Sequence, residues 1–406
     1  MTFDVDALRS SFPSLQSGWA HFDGPGGTQT PRQVGEAIAR TLTGPMSNRG
    51  TVSLSERNAE EAVAAFRAAY ADLLGLPAEG IVYGRSATQI TYDFSRHLAK
   101  RWAPGDEIVV TRLDHDANVS PWVQAASAVG AQVRWIDFDP KTSEIDLDSA
   151  ELAVTDRTRL VAVTAASNLI GTKPPVRRIA DMAHEIGALV YVDGVHYTAH
   201  QFVDVPAMGA DFFVCSPYKF LGPHCAVLAA APDLLETVSP DKLEPSTNDV
   251  PERFEFGTLP YEIMAGATAA VDFLADIVPG DAVERRDRLR ASFEAVDAHE
   301  LRLRRVIEAG LEDLGPHVEL HSRAADRTPT LLVTFPGRRA EEAYRFLGER
   351  RVHAPAGWFY AHQASLRLGL DDSHALRIGM APYNNEDDVT RLLDGLREFL
   401  AQAPRE

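Results

Sequence analysis

The sequence predicts an α/β protein in which a mostly parallel, seven-stranded sheet lies between helices and is followed by a small α+β domain. Short apolar segments alternate with amphipathic helical segments through the first two-thirds of the chain. Several of the apolar segments are apolar almost throughout, which is typical of strands covered on both faces. After about residue 280 a long, charge-rich helical segment begins. This order of elements favours a parallel sheet wrapped by helices, plus a second domain.

The individual elements follow in order along the chain. The strand pattern occupies seven segments: 80–84, 106–111, 131–138, 159–167, 188–194, 211–216 and 225–231. Helical patterns lie between several of them, at 88–102, 120–130 and 176–187. Gly130 and Gly187 end two of these helices, where a left-handed cap is expected. The stretch 232–260, rich in Pro, Asp and Ser, is predicted to be a long irregular loop.

The C-terminal third contains one long helix, or two with a break, over 281–315, and then further strands and helices at 330–335, 340–350, 375–380 and 386–402. We therefore predict three parts. They are an N-terminal segment (1–30) that packs with the small domain, a large domain (31–280) and the small C-terminal domain (281–406) with its long linking helix.

Composition excludes several classes of function. The chain has 406 residues, of which 45% are hydrophobic. Its net charge of -18 opposes binding to nucleic acid or to an anionic membrane surface. The N-terminus lacks the apolar core of a signal peptide, and no apolar run is long enough to span a membrane. Two cysteines, Cys215 and Cys225, cannot form a disulfide framework or a four-ligand zinc site. A cytoplasmic location is expected.

One lysine stands out among the five in the chain. Lys219 lies between two apolar runs in "DFFVCSPYKFLGPHCAVLAA", whereas the other four have polar, loop-like or helix-end surroundings. Burial disfavours the charged form of an amine and lowers its pKa, so a protein that buries a lysine commonly uses that amine in chemistry.

Residues that follow the predicted strands form the candidate site, because ligands of open α/β sheets bind beyond the carboxyl ends of the strands. Lys219 can form a Schiff base with an aldehyde cofactor, and Asp193 can hold a pyridine nitrogen protonated. The helix that starts after Ser86 offers free N–H groups to a phosphate, and His115 offers an aromatic face. Each residue alone is more often structural, Ser86 as a simple N-cap for example. The set in strand order is harder to explain by structure alone.

These residues carry a resemblance to a known family. The motifs "HFDGPGGTQTP", "APGDEIVVTRLDHDANVSPW", "SNLIGTKPPVRRIADMAHEIGALVYVDGVHYTAH", "CSPYKFLGPH", "RFEFGTLP" and "LRIGMAPYNNEDDV" run nearly from end to end. They resemble the class V aminotransferase family of pyridoxal-phosphate enzymes (fold type I), and specifically its cysteine-desulfurase-like branch.

The resemblance implies roles for individual positions. Lys219 would hold pyridoxal 5'-phosphate as an internal aldimine and shuttle protons, Asp193 would pair with the pyridine nitrogen, and His115 would stack on the ring. His196 stands where relatives usually have glutamine, near the ring hydroxyl. The remaining positions are assigned as follows: Ser86, Ala87, Ser216 and Tyr218 to the phosphate, Thr258 to the phosphate of a neighbouring subunit in a homodimer, and Arg377, with Asn168 beside it, to the substrate carboxylate.

The sequence also departs from the branch. Cysteine desulfurases carry a nucleophilic cysteine on a loop of the small domain, but the corresponding stretch here, 352–370, contains none. Trp358, Phe359, Tyr360 and His362 are expected to shape that loop, and His353 and His362 are interpreted as surface histidines rather than acid–base groups. His196 and His200 are four apart, but we expect no metal because no third ligand stands with them in the sequence.

The expected function is therefore a pyridoxal-phosphate enzyme acting on a small amino acid through an external aldimine. A carbon–sulfur lyase without a persulfide cysteine is favoured. An epimerase, an aminotransferase and a decarboxylating or carbon–carbon bond-forming enzyme remain alternatives within the family. Two alternatives lie outside these activities: an inactive binding relative and a nicotinamide-dependent dehydrogenase. The retained site residues oppose the first, and "YGRSATQ", which is no glycine fingerprint, opposes the second.

Overall fold

The computed structural model describes residues 3–370 and 375–403. Residues 1–2, 371–374 and 404–406, which belong to the predicted N-terminal segment and C-terminal domain, lie outside the described residues. The strands are β1 Ala20–His21, β2 Ile81–Gly84, β3 Glu107–Thr111, β4 Gln132–Ile136, β5 Thr158–Thr164, β6 Leu189–Asp193, β7 Phe212–Cys215, β8 Ala226–Ala230, β9 Glu319–Leu320, β10 Thr330–Thr334, β11 Val352–His353, β12 Ala356–Gly357 and β13 Ala375–Gly379.

The α-helices alternate with these strands through the first part of the chain. They are α1 Val5–Arg9, α2 Arg32–Thr43, α3 Leu54–Leu74, α4 Ala87–Ala99, α5 Ser120–Val129, α6 Leu147–Ala153, α7 Val176–Glu185, α8 Val205–Met208, α9 Pro232–Glu236, α10 Tyr261–Ala275, α11 Arg285–Glu312, α12 Ala340–Glu349, α13 His362–Arg367 and α14 Glu386–Ala401. None of the helices in the described part of the chain is both long and apolar enough to cross a bilayer.

The central sheet confirms the predicted fold class. Its seven strands lie in the order β2-β8-β7-β6-β5-β3-β4, and only β8 runs antiparallel to its neighbours. Alternate residues of β5 pack into different apolar cores, Val161 and Val163 on one face and Leu160 and Ala162 on the other. Burial of both faces is the reason that these strands are apolar almost throughout.

Several local predictions are confirmed, and some segment ends are shorter than predicted. Gly130 and Gly187 both take the left-handed conformation (φ 76°) that the sequence predicts at helix ends. The segment 281–315 forms one helix, α11, rather than two. The strand predicted at 159–167 ends at Thr164, and the residues after it leave the ladder and form the turn that carries Asn168.

The C-terminal part forms a separate four-stranded sheet in the order β12-β13-β10-β9, with α11, α12 and α14 around its own apolar core. The N-terminal strand β1 pairs with β11, so that His21 lies opposite His353, and Asp23 makes an isolated bridge to Gly379. These pairings attach residues 20–23 to the C-terminal part of the chain.

Candidate active site

A cavity of about 620 Å³ lies at the carboxyl ends of the parallel strands. Strands β2, β3, β5, β6 and β7 all end at this edge of the sheet, because β2 is antiparallel to β8, and β8 is antiparallel to β7. All of the predicted site residues except Thr258 line the cavity: Ser86, Ala87, His115, Asn168, Asp193, His196, Ser216, Tyr218, Lys219 and Arg377. The geometry therefore brings the predicted constellation together, while the role of each residue remains a prediction.

Thr258 lies elsewhere on its own chain. It is exposed and lines a neighbouring depression together with Gly84 and Arg85. This position is outside the cavity of the same chain, and the predicted contact with a neighbouring subunit stays a prediction.

Lys219 is held in a short 3-10 turn, Pro217–Lys219, directly after β7. Its amine donates a hydrogen bond to the carbonyl oxygen of Pro25 and lies 4.7 Å from the centre of the Tyr218 ring. Burial, and then the positive charge of Arg377, lower the pKa of Lys219 to about 7. At neutral pH a large fraction of this amine is uncharged and available as a nucleophile or base.

Asp193 is the last residue of β6 and is buried. Its carboxylate accepts the Val195 N–H at 2.9 Å, and burial raises its pKa to about 6. The next position, 194, requires a glycine because a Cβ there would lie 1.9 Å from the Phe213 ring. The pairing of a carboxylate near the cavity with an amine of low pKa is the arrangement predicted for a pyridine aldehyde.

His115 follows β3, and its neutral form is favoured. Burial, and then the charges of Lys219 and Arg377, lower its pKa to about 4. Its Nδ1 accepts the Ala117 N–H at 3.0 Å, so the remaining ring proton lies on Nε2. An uncharged, flat ring is suited to stacking on an aromatic ligand.

The turn that carries His115 rests on a buried acid that the sequence analysis missed. Asp114 is buried, accepts a hydrogen bond from Asn118 Nδ2 at 2.7 Å and also one from Thr111. Burial raises its pKa to about 8. Its position directly before His115 is the only signal in the sequence that could have identified it.

The side of the cavity that is predicted to bind a phosphate contains the N-terminal end of helix α4. Ser86 caps α4 by accepting the Gln89 N–H at 3.1 Å, which is the structural role considered for it. The first N–H groups of a helix have no intrahelical partners, and the positive end of the helix dipole favours an anion there. Ser216 and Tyr218 line the same cavity, and the Tyr218 ring stacks on His224 at 4.7 Å.

His196 is buried and contacts two hydroxyl groups, Thr328 Oγ1 at 2.9 Å and Thr330 Oγ1 at 3.1 Å, through Nε2. Burial holds its pKa well below the ordinary value. Its ring also packs edge-on against His200, which pairs with Glu300 at 2.8 Å in the protein interior. Sequence spacing alone did not reveal Glu300, because it lies 100 residues after His200.

Three lining residues carry buried polar atoms that lack a partner among the described residues: Asn168 Oδ1, His196 Nδ1 and Arg377 Nε. Unpartnered polar atoms are costly inside a protein, and they are frequently found where a ligand binds. Together with an amine, a carboxylate and a helix start, this donor and acceptor set fits a cofactor that has an aldehyde, a ring nitrogen, a ring hydroxyl and a phosphate.

A second cluster lies next to the cavity wall. The ligand atoms of His21, Asp23 and His353 lie within 4.8 Å of one another, so they could hold a metal ion. Burial alone would raise the pKa of Asp23, but the interactions of its carboxylate with His21 and His353 outweigh burial and hold the pKa well below its ordinary range. The side chain of His353 is 33% exposed, and it forms an ion pair with Asp23 at 3.1 Å. His362 is exposed, as predicted.

Comparison with known proteins is consistent with this site. The family model "Aminotransferase class-V" matches residues 20–392. A cysteine desulfurase from Haloferax volcanii is 30% identical over 444 residues, with 98% of each chain covered. The aminotransferase-like protein FGM3 from Gibberella zeae is 28% identical over 418 residues, covering 98% of this chain and 99% of that protein. The crystal structure of the cysteine desulfurase CsdA from Escherichia coli has a TM-score of 0.87 and 26% identity, with 98% of this chain and 99% of that chain covered.

Proposed function

Since the chain belongs to the class-V aminotransferase family of pyridoxal-phosphate enzymes, we propose that it binds pyridoxal phosphate at Lys219 and acts on a small amino acid as a carbon–sulfur lyase. In this proposal sulfur leaves directly by β-elimination, without a cysteine that receives it. The observation that carries the proposal is the meeting of the Lys219 amine, the Asp193 carboxylate and the Arg377 guanidinium in one cavity.

The residues at the two ends of the cavity would hold the cofactor. Ser86, Ala87, Ser216 and Tyr218 would bind its phosphate, and His115 would cover its ring. The Asp193 carboxylate would keep the ring nitrogen protonated, as its pKa of about 6 leaves it mostly ionised at neutral pH. Bound pyridoxal phosphate supplies an electron sink for the electron pair that remains at the α-carbon after deprotonation.

The same residues would orient the substrate and move its protons. Lys219 Nζ, partly uncharged at neutral pH, would take the α-proton and return it later. Arg377 would bind the substrate carboxylate, since its Nη1 donates to the Asn168 carbonyl oxygen at 2.9 Å while Nε has no partner in the described part of the chain. Asn168 and His196 retain free polar atoms beside it.

The two thiols of the protein are unsuited to receiving sulfur. Cys215 and Cys225 are both buried, and neither lines the cavity. Burial raises the pKa of both thiols well above the ordinary range, which keeps them uncharged and poorly nucleophilic. Direct elimination from cysteine balances without a protein thiol, because cysteine and water yield pyruvate, ammonia and sulfide.

Two measurements test the proposal. The purified protein should be yellow from bound pyridoxal phosphate, and Lys219→Ala should lose the absorbance band of the lysine linkage. Incubation with cysteine and cystine in deuterated water should release pyruvate with sulfide or persulfide. Deuterium exchange with racemisation would indicate an epimerase, amino transfer to a keto acid an aminotransferase, and loss of carbon dioxide a decarboxylase. Each of these would contradict the lyase assignment.

We further propose a homodimer whose sites lie at the interface, with Thr258 of one subunit contacting the phosphate held by the other. The exposure of Thr258 outside its own cavity supports this arrangement. Light scattering should give twice the mass of the 44.4 kDa chain. A monomer with full cofactor occupancy would contradict it.

The free thiols and the acidic charge also support a cytoplasmic location.

A further inference from the structure

The segment that follows β12 covers the cavity in an unusual backbone conformation. Phe359 and Tyr360 have φ angles of 53° and 56°, and both line the cavity. Residues other than glycine rarely adopt this left-handed region, and two in succession persist only where the surroundings hold them. Such strain clusters at functional sites, so the contacts that maintain it indicate what the segment does.

Two site residues hold this backbone. Asn168 Nδ2 donates to the carbonyl oxygen of Phe359 at 2.8 Å, and the Asp116 N–H donates to the carbonyl oxygen of Tyr360 at 2.7 Å. Asn168 follows β5 and Asp116 follows β3, and both line the cavity. The conformation of the segment is thus set by the strand ends that form the site.

The same arrangement places an aromatic ring on a buried cation. The Cζ atom of Arg377 lies 3.6 Å from the centre of the Phe359 ring, and Arg377 is only 2% exposed. No carboxylate of the described residues forms an ion pair with Arg377; burial lowers its pKa to about 9 and outweighs the charge of Asp23, which raises the pKa. A ring face attracts a cation most strongly where water is excluded, so Phe359 adds to the stabilisation of this buried charge.

Asn168 fixes the orientation of the guanidinium in its plane. The main-chain carbonyl oxygen of Asn168 accepts a hydrogen bond from Arg377 Nη1 at 2.9 Å. Its side-chain Nδ2 donates a hydrogen bond to the carbonyl oxygen of Phe359. Nε and Nη2, which form the other edge of the guanidinium, have no hydrogen-bond partner in the described ranges, and Gly26 leaves space beside Nη2. An edge with two parallel N–H donors matches a carboxylate.

We propose that Phe359 is a positioning residue for the substrate: it fixes the plane of Arg377 so that this open edge receives the α-carboxylate of an amino acid. The inference rests on the proposed function and extends it, because it makes the 357–362 segment a determinant of selectivity for α-amino acids over plain amines. Removing the ring leaves Arg377 in place but lets its plane rotate, so carboxylate binding weakens while the chemistry at Lys219 continues.

The test uses the full-length protein loaded with pyridoxal phosphate and two matched probes. L-alanine and ethylamine carry the same small amine, but only L-alanine has a carboxylate, and it has no group that a lyase could eliminate. Binding is followed through the cofactor absorbance. We expect Phe359→Leu to weaken L-alanine binding about tenfold and to change ethylamine binding less than about twofold. The KM for a turned-over amino acid should rise, with kcat nearly unchanged.

Three variants sharpen the result. Phe359→Tyr keeps the ring and should retain the affinity of the unsubstituted protein. Phe202→Leu removes a ring that lies over another arginine, Arg286, outside the cavity, and should leave L-alanine binding unchanged. Phe359→Met provides a second ring-free side chain if the leucine variant loads cofactor poorly, as judged by absorbance and melting temperature.

The outcomes distinguish a failure of the role of Phe359 from a failure of the proposed function. Unchanged L-alanine binding in Phe359→Leu, or an equal loss for L-alanine and ethylamine, overturns the role of Phe359. If the unsubstituted protein prefers neither probe, Arg377 does not bind a carboxylate and the inference fails while cofactor binding stands. If neither probe alters the absorbance at all, the proposed function and this inference fall together.

Discussion

Labelling of the cofactor-free protein over a range of pH tests how far the fold changes the acidity of Lys219. Burial lowers the pKa of this amine from an ordinary value of 10.5 to about 7. At pH 7 about half of the Lys219 amines are then uncharged, against roughly three in ten thousand for an ordinary lysine. The structure therefore predicts a reactive fraction roughly a thousand times larger than that of an exposed lysine at the same pH.

The assay is competitive acylation followed by mass spectrometry of the peptide that contains Lys219. The labelling rate should rise with pH and level off just above pH 7, because the amine loses its proton there. Lys141, which is exposed, provides an internal reference for an amine in contact with water. A midpoint for Lys219 above about pH 9 would refute the reasoning from burial.

Charge-removing variants test the cause of the shift by its sign. Arg377 lowers the pKa of Lys219, whereas Asp193 raises it. Arg377→Gln should therefore move the midpoint to higher pH, and Asp193→Asn should move it to lower pH. A shift in the same direction for both variants would show that packing changes, rather than charge, control the amine.

Three further predictions concern regions outside the cavity. Hydrogen bonding to Asp23 raises the pKa of His353, so this pair stabilises the fold fully below the unfolded pKa of about 6.5 and loses its effect as pH rises through the folded value. His353→Gln should therefore lower the melting temperature more at pH 5.5 than at pH 9. An equal decrease in melting temperature at the two pH values would contradict this prediction. Glu300→Ala leaves the buried His200 without its partner and should cost about 3–5 kcal/mol in urea unfolding, whereas Glu386→Ala, which breaks an exposed pair, should cost less than about 1 kcal/mol. Chelation with EDTA should leave cofactor absorbance and activity unchanged, because the carboxylate of Asp23 is already paired with histidine; one tightly bound metal ion per chain would contradict the expectation of no metal.

The sequence was sufficient to predict the large sheet and the residues around its carboxyl edge. Strands covered on both faces must be apolar on both faces, so β5 and β6 are visible as continuous apolar runs. Residues that follow parallel strands meet at one edge whatever the details of packing. Asp193 and Lys219 could therefore be placed together before any coordinates were known, because only the order and direction of the strands were needed.

Contacts between distant parts of the chain were decided by the tertiary structure alone. His21 meets His353 only because β1 pairs with β11, and Glu300 meets His200 only because α11 packs against the part of the chain that contains His200. The stacking of Phe359 on Arg377 depends on a left-handed backbone at Phe359 and Tyr360, which neither of these two residues favours by itself. Local sequence patterns set helices, strands and turns, but the free energy that selects these long-range pairs comes from burial and hydrogen bonds formed when the elements pack.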